Sequence, residues 1–536
     1  MTDTQQIPPV VIVGAGPVGA VLALELAHHG VPSIVVEQST AASRHPKMDF
    51  LNARSMELLR RLGLTDTIRE MGVPGDQAFN FHWSTGFSQP PAAEWSYWSV
   101  DEFRAAMAGT NDGTLPCEAY QRVIGSRLED LGRRNCRESE LVEMREGWAF
   151  RGLTQDADGV LLELEHCESG RTEQLRARYV VACDGAGSAV RKAAGIATDE
   201  IGPVSQNCNV YFRSTDPALT SHGRFFLGIA SGGVTLVSRD GDATWTAVFP
   251  LLDGKPFEGD PAPLLRQRLG VDFEIDEVLS VASWENRLAV AQSYRSGSVF
   301  LAGDAAHQFF PSGGHGANTG VGDAVDLGWK LAAVVNGWAD AQLLDSYEAE
   351  RRPVGLFNRE MCFNLMEVWR RFIFLDKGGA TRAQLAGYLE HQKFQLTNLG
   401  IHCGYRYHGS PIVAHEDAPE PQWLPDRIVP TTWPGGRVPS VRLEETSEPR
   451  TELYDLLGDG FTLVDFTERS DGAPLTALAQ ARNLPFRHLQ VADKNARTVW
   501  ERDLVLVRPD HHVAWRGDAL PEDLASLLDL VTGVRR

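Results

Sequence analysis

The sequence predicts an α/β fold, and three features near the N-terminus carry this prediction. A continuous apolar run, Val10–Val13, is typical of a buried parallel strand. Three glycines in G-x-G-x-x-G spacing follow at once, and an Ala/Leu-rich segment over residues 18–29 predicts a helix closed by Gly30. A second apolar run over 33–36 completes a βαβ unit of the Rossmann-like kind.

The three glycines have distinct physical tasks in such a turn. Gly14 permits the tight turn, Gly16 lets the backbone approach a pyrophosphate, and Gly19 allows close packing of helix on strand. Pro17 suits the first helical turn. Because a helix N-terminus offers free N–H groups and partial positive charge, the segment predicts a dinucleotide site.

An acidic residue stands where the second strand ends. Glu37 lies at about the distance from the glycines at which a carboxylate holds ribose hydroxyls. A basic residue would be expected there for a 2′-phosphate, so NADP is not expected at this site.

The chain returns twice more to the same kind of strand end. A strand beginning at Tyr179 ends in Asp184, followed by a small-residue turn and a helix. Another strand over 299–303 ends in Asp304, whose carboxylate would point from the strand's carboxyl end towards a bound ligand. For Asp184, capping the next helix is an equal alternative to ligand contact.

A glycine-rich loop follows the second of these strands. Gly313, Gly314 and Gly316 remove side chains from a segment that would lie flat against something planar. Residues 323–336 then predict a helix with one apolar face.

These three segments, in this order, resemble the flavoprotein aromatic hydroxylases of the para-hydroxybenzoate hydroxylase type, over nearly the whole chain. The resemblance implies that FAD is the dinucleotide and that Asp304 hydrogen-bonds its ribityl chain. It also implies that Asp184 belongs to a segment serving both FAD and NAD(P)H. Gln121 is expected to lie along the cofactor.

The resemblance also assigns the glycine-rich loop to the flavin ring. Backbone N–H groups near Ala317 and Asn318 would point at the pyrimidine edge and stabilise the anionic reduced flavin. The Pro311 carbonyl would border the reacting flavin carbon, and Gly314 and Gly316 would belong to the same cofactor-binding loop.

One aspartate is the candidate catalytic base. Asp49 lies in a segment, 46–57, that resembles the phenol hydroxylase segment in which an aspartate reaches the substrate hydroxyl. In an apolar pocket its pKa would rise towards a useful value; the alternative is an Asp bound to a nearby Arg or to backbone. Lys47 stands where the family usually has a cofactor-contacting arginine and lacks its bidentate fork, and Arg44 is the candidate to compensate.

The domain organisation follows from these segments. We expect a discontinuous FAD-binding domain, a substrate domain built on antiparallel strands between 208 and 250, a linker, and a C-terminal domain resembling the thioredoxin-like domain of the phenol hydroxylase branch. The ranges are 1–75, 111–200 and 284–400 for FAD, 76–110 and 201–283 for substrate, 401–438 for the linker and 439–536 for the C-terminal domain. No cysteine follows Cys403, so we predict a structural or oligomer-contact role there rather than dithiol chemistry.

Composition indicates which partners the protein is expected to have and in which compartment it is expected to lie. A formal net charge of −20 over 536 residues repels phosphate backbones, so neither nucleic acid nor an acidic membrane is expected. The seven scattered cysteines and the polar N-terminus fit a cytoplasmic protein, and no metal constellation is present. The adjacent pair His511 and His512 is expected to be solvated, since neighbours do not share a face.

The functional expectation is an NAD(P)H-consuming FAD monooxygenase. The resemblance implies that O₂ is activated as a flavin C4a-hydroperoxide and that a phenolic or polycyclic aromatic substrate is hydroxylated. A same-fold alternative is Baeyer–Villiger or epoxidising oxygenation of a polyketide or antibiotic. An NAD-dependent dehydrogenase or a non-catalytic flavin-binding protein are alternatives of another class, and a homodimer is left open.

Overall fold

The computed structural model describes residues 9–43, 48–252, 254–396, 398–444 and 451–534. In chain order the strands are β1 (Val10–Val13), β2 (Ser33–Glu37), β3 (Phe50–Leu51), β4 (Phe79–Ser84), β5 (Ala93–Tyr97), β6 (Gln121–Arg122), β7 (Val142–Glu146), β8 (Trp148–Asp156), β9 (Gly159–His166), β10 (Thr172–Ala177), β11 (Tyr179–Ala182), β12 (Thr198–Arg213), β13 (Leu227–Ala230), β14 (Val234–Ser238), β15 (Thr244–Pro250), β16 (Glu277–Ala291), β17 (Arg295–Ser296), β18 (Val299–Leu301), β19 (His307–Gln308), β20 (Phe461–Asp465), β21 (Phe486–Gln490), β22 (Leu504–Val507) and β23 (Val513–Gly517).

The helices lie between these strands and after them. They are α1 (Pro17–His28), α2 (Ala53–Arg60), α3 (Thr65–Met71), α4 (Val100–Gly109), α5 (Gly125–Glu138), α6 (Ala189–Ala193), α7 (Ala262–Leu269), α8 (Gly316–Val335), α9 (Asp345–Lys377), α10 (Arg382–Glu390), α11 (Leu399–Cys403), α12 (Ala473–Ala481), α13 (Lys494–Trp500) and α14 (Leu524–Val531).

The first sheet has the parallel core expected of the glycine-turn segment. Its strand order is β17-β18-β11-β1-β2-β7, and β1 lies between β11 and β2, parallel to both. Because β1, β11 and β18 run in the same direction, the glycine turn, Asp184 and Asp304 follow the carboxyl ends of adjacent strands. The three motif segments therefore meet at one edge of one sheet, as predicted.

The second large sheet has the order β19-β16-β12-β15-β14-β13-β4-β5 and is mostly antiparallel. The antiparallel strands expected between 208 and 250 belong to it. Strands β4 and β5 form its other edge and are followed by α4, which begins with a Ser99–Glu102 capping box.

Helix α8 begins earlier than expected, at Gly316 rather than at residue 323. The glycine-rich loop thus ends directly in a helix N-terminus. Helix α8 packs on α1 and runs in the same direction. A Cβ on Gly320 would lie 2.5 Å from Val18, and one on Gly328 would lie 2.5 Å from Glu25. The close approach of the two helices requires glycine at both positions.

The C-terminal region forms a separate four-stranded sheet with the order β21-β20-β22-β23. Strands β20 and β21 are parallel and joined by α12, whereas β22 and β23 are antiparallel. The thioredoxin-like character of this unit stays a prediction.

The expectation that His511 and His512 are solvated is wrong. They are 4% and 1% exposed, and burial lowers the pKa of His512 to about 4. Both lie in the tight turn between β22 and β23, where His511 has a φ of 63°. The rule that neighbours face opposite ways holds for strands and helices, not for such a turn.

Candidate flavin and substrate site

The first turn of the site is built by backbone packing. Gly14 has a φ of 107°, and its N–H donates to the Val36 carbonyl at 2.8 Å. A Cβ on Gly14 would collide with the Cys183 carbonyl, and a Cβ on Gly19 would collide with the Gly14 carbonyl. These two glycines are therefore needed for the fold itself, as predicted from their spacing.

Gly16 lies in a different environment. No atom lies within 4 Å of a Cβ built on it, and it precedes α1 as an N-cap with no side-chain hydrogen bond. Pro17 occupies the first helical turn. Open space beside backbone N–H groups without intrahelical partners fits a pyrophosphate.

Glu37 lies beside this turn at the end of β2. Its Oε2 accepts a hydrogen bond from the Ala15 N–H and its Oε1 accepts one from the Ser39 N–H, both at 2.8 Å. A carboxylate oxygen keeps a second lone pair after one such bond. Glu37 is therefore oriented at the position where the ribose is expected.

The N-terminus of α8 is the second helix end at the site. Its N-cap, His315, makes no capping hydrogen bond with its side chain, and a Cβ on Gly316 would meet no atom within 4 Å. Burial lowers the pKa of His315 to about 4, so the ring is neutral at pH 7. Gly316 and Ala317 are half-buried. Like Gly16, this helix end presents N–H groups to open space.

Asp304 lies in a one-turn 3₁₀ helix, Gly303–Ala305, directly after β18 and is exposed. A Cβ built on Gly303 would lie 2.9 Å from Val18, and one built on Gly320 would lie 3.1 Å from the Gly303 Cα. The strand end therefore packs between the first turns of α1 and α8. The early, middle and late motifs form one site.

Asp184 caps α6. Ser188 Oγ donates to its Oδ1 at 2.5 Å and the Val190 N–H donates to its Oδ2 at 3.1 Å, while burial raises its pKa. Of the two alternatives in the sequence analysis, capping is the one the structure displays, and ligand contact stays a prediction.

The side chain of Gln121 is engaged within the protein. Its Nε2 donates to the carbonyls of Val73 at 2.9 Å and Arg122 at 3.0 Å, and its Oε1 accepts from Arg69 at 2.9 Å. Gln121 as a whole is 2% exposed, and its contact with the cofactor stays a prediction.

Asn318 acts through its side chain as well as its backbone. Its Oδ1 accepts from the Asn52 N–H at 2.8 Å, and its Nδ2 donates to the carbonyls of Phe50 at 3.1 Å and Gly314 at 2.6 Å. A Cβ on Gly314 would lie 2.7 Å from the Phe50 ring. The loop from Pro311 to Asn318 is thus fastened to the strand that follows Asp49.

Asp49 is ion-paired to Arg239, the second of the alternatives considered for it. The Arg239 side chain is 4% exposed and that of Asp49 is 25% exposed. Arg239 Nε also donates to Thr246 Oγ1 at 2.8 Å, and burial lowers the pKa of Arg239 to about 9. The environment of Asp49 is therefore charged rather than wholly apolar.

Aromatic rings pack next to this pair. Phe50 stacks on Phe79 with ring centroids 5.6 Å apart, and Phe79 stacks on Phe226 at 5.1 Å. Arg122 lies over the Phe226 ring at 4.7 Å and donates to the Ser238 carbonyl at 2.7 Å. The arrangement offers an aromatic surface with guanidinium groups at one end.

Sequence reasoning missed Arg239 and Arg122. Arg239 follows β14 and reaches Asp49 only because the β3–β6 ribbon docks on the substrate sheet. No local pattern marks that contact. The predicted cofactor contacts Arg44 and Lys47 lie outside the described residues.

The described ranges contain neither a candidate metal cluster nor a candidate membrane-spanning helix. No group of three or more His, Cys, Asp or Glu side chains there could hold a metal ion. None of the helices in those ranges is long and apolar enough to cross a membrane.

Comparison with known families agrees with this geometry. The FAD binding domain family matches residues 8–357, which makes the chain a flavin-dependent α/β enzyme. The aromatic-ring hydroxylase C-terminal family matches residues 431–534. The chain belongs to the FAD-dependent monooxygenases that combine these two parts.

Individual relatives cover almost the whole chain. The FAD-dependent monooxygenase apdD of Emericella nidulans is 35% identical over 95% of this chain and 88% of its own. The 4-methyl-5-nitrocatechol 5-monooxygenase of a Burkholderia species is 31% identical over 98% and 97%. The solved structure of the rebeccamycin biosynthetic enzyme RebC with reduced flavin has a TM-score of 0.87 and 33% identity, covering 98% of this chain and 99% of that one.

The α/β fold class, the use of FAD and the assignment as an enzyme are thereby confirmed. The protein is an FAD-dependent monooxygenase of aromatic or polyketide substrates.

Proposed function

We propose that this monooxygenase hydroxylates a phenolic or polycyclic aromatic compound with NAD(P)H as reductant. The observation that carries the proposal is the Asp49–Arg239 pair beside the stacked rings of Phe50 and Phe79. The nitrocatechol relative, whose name gives it a phenolic substrate, supports the same class.

Bound FAD, once reduced by NAD(P)H, supplies the chemistry that activates O₂. The chain's own part is to hold it: open space at Gly16 and Gly316 fits the pyrophosphate and the flavin edge. Two parallel helix N-termini stabilise negative charge on both groups. Glu37 and Asp304 are assigned to the ribose and the ribityl chain.

The polar pair would prepare the substrate. With a phenol pKa of ~10, ionisation at pH 7 is short by about three units, or about 4 kcal/mol. Asp49 accepts the phenolic proton. Arg239 then stabilises the resulting phenolate by a charge-assisted hydrogen bond. The neighbouring rings exclude water, which strengthens both interactions.

A second candidate is oxygenation of a polyketide without a phenolate, by Baeyer–Villiger insertion or epoxidation. The observation in its favour is that Asp49 is already ion-paired to Arg239, so its carboxylate has a structural partner. In that reaction the pair would only shape the pocket.

Stimulated NAD(P)H consumption, coupled to product identification, tests the proposal. A panel of phenols and polycyclic phenols is compared with their O-methyl ethers. We expect NADH or NADPH oxidation to rise with the free phenols and one oxygen to enter the ring. Equal stimulation by the ethers would favour the second candidate.

A further inference from the structure

Helix α8 carries a buried carboxylate that the proposed chemistry does not use. Asp323 is 0% exposed. Its Oδ2 accepts from the Gly303 N–H at 3.1 Å and from His307 Nε2 at 2.7 Å, and its Oδ1 accepts from Arg351 Nε at 2.8 Å. Burying a charge is costly unless it is paired and hydrogen-bonded, and here both oxygens are engaged.

The bond to Gly303 reaches the cofactor side of the site. Gly303 immediately precedes Asp304, has a φ of 60°, and its carbonyl accepts from the Ala306 N–H at 2.8 Å. The turn that presents Asp304 therefore has an internal hydrogen bond and one bond to α8. Both bonds hold the backbone from which the Asp304 side chain projects.

The counter-charge of Asp323 is itself fixed. Arg351 Nη2 donates to the Thr319 carbonyl at 3.0 Å, and its Nη1 donates to the hydroxyls of Tyr405 and Tyr407, each at 3.3 Å. Burial alone would raise the pKa of Asp323, but the charges of His307 and Arg351 bring it below its ordinary value. The group is a carboxylate at neutral pH.

We propose that Asp323 is a positioning residue for the cofactor: its carboxylate fixes the Gly303 amide, so that Asp304 faces the ribityl chain of FAD. The inference rests on the assignment of Asp304 under the proposed function. Asp323 touches neither FAD nor substrate in this scheme and acts through the turn.

The same helix offers a matched control. Asp326 lies three residues further along α8 and is also buried, but its partners are Lys330 Nζ at 2.7 Å and Arg508 Nη2 at 3.2 Å. Changing either aspartate to asparagine replaces a buried carboxyl group of α8 by an amide. Only Asp323 is bonded to the turn that carries Asp304.

The test measures the Kd of FAD by flavin fluorescence, together with the flavin absorption spectrum and the Tm of the FAD-free protein. We expect Asp323→Asn to raise the Kd about tenfold or more, in line with losing a charge-assisted contact. Asp326→Asn should leave the Kd near wild type, whatever it does to the Tm. Equal Kd changes in the two variants, tracking the Tm, would overturn the proposal.

A double-mutant cycle with Asp304→Asn then asks whether Asp323 acts through Asp304. If it does, the double variant binds FAD no more weakly than Asp304→Asn alone, whereas independent effects would multiply and overturn the inference. An unchanged Kd in Asp304→Asn would overturn the ribityl assignment as well. Should Asp323→Asn not fold, Asp323→Glu keeps the charge but displaces the carboxylate, and it must also raise the Kd.

Discussion

The N-termini of α1 and α8 both face open space at Gly16 and Gly316, yet they are built differently. At α1 the turn is closed by backbone contacts: Gly14 and Gly19 leave no room for a Cβ, while Gly16 beside them faces open space. At α8 the loop is fastened by a side chain: Asn318 Nδ2 donates to the carbonyl of Gly314, four residues away, and to that of Phe50, 268 residues away in the chain.

This difference separates glycines that the fold needs from glycines that a ligand needs. Gly16 and Gly316 have ordinary space for a side chain but would place it where FAD is expected. Stability measurements and flavin-binding measurements should therefore respond to different substitutions.

Gly19→Ala should have the largest effect. The new Cβ would collide with the Gly14 carbonyl, and the Cys183 Cβ at 3.2 Å leaves little room to relax. We expect a loss of about 3 kcal/mol or more of unfolding free energy, at the upper end for overpacking. Thermal unfolding of the FAD-free protein measures it, with Gly16→Ala as the matched control in the same turn.

Gly16→Val should give the opposite pattern. The side chain enters space that is open in the protein, so the fold should persist with a small cost at the N-cap. We expect the Kd of FAD to rise at least about 100-fold, or about 2.7 kcal/mol. Flavin fluorescence titration measures it; normal FAD binding would show that the pyrophosphate lies elsewhere.

Asp49→Asn tests the substrate side, which the cofactor motifs do not fix. Loss of the base should lower kcat with a neutral phenol by about 100-fold, the lower range for general-base catalysis. Steady-state kinetics from pH 7 to 9 should show partial recovery as the phenol ionises, and a more acidic nitrophenol should lose less. The control is Asp240→Asn, a carboxylate next to Arg239 that accepts from the backbone of Asp242 and Thr244. A pH-independent loss equal for both phenols would reduce Asp49 to a structural partner of Arg239.

Asn318→Ala should have the smallest effect of the four. It leaves the Asn52 N–H and the Phe50 carbonyl without their buried partner, at a cost of about 1–3 kcal/mol. Urea unfolding measures this cost. Because the loop would then be loosely fastened to the strand after Asp49, more NAD(P)H should be oxidised without product. An unchanged ratio of product formed to NAD(P)H oxidised would show that the Asn318 contacts do not contribute to catalysis.

The sequence predicted what is local. The strand, glycine turn and helix around Gly14 follow from neighbours along the chain, and so do the strand ends at Asp184 and Asp304. The early start of α8 at Gly316 was missed because glycines argue against a helix interior, although they suit a helix end that approaches a ligand.

Contacts between distant segments could not be predicted. The sequence around Asp49 does not indicate that Arg239 pairs with it. The sequence around Asp323 does not indicate that the Gly303 N–H donates to it. Such pairs depend on how distant segments pack against each other, and no spacing pattern in a single sequence predicts that packing. The burial of His511 was missed for a related reason, since a left-handed turn residue breaks the rule of alternating faces.

The central claim is that FAD lies between the N-termini of α1 and α8. Titration of the FAD-free protein with FAD, followed by flavin fluorescence and by thermal unfolding, tests it most directly when wild type and Gly16→Val are run together. We expect one FAD per chain and a raised Tm for wild type, and neither for the variant at the same concentration. Saturating FAD that leaves the wild-type Tm unmoved, or that raises the Tm of both proteins equally, would contradict it.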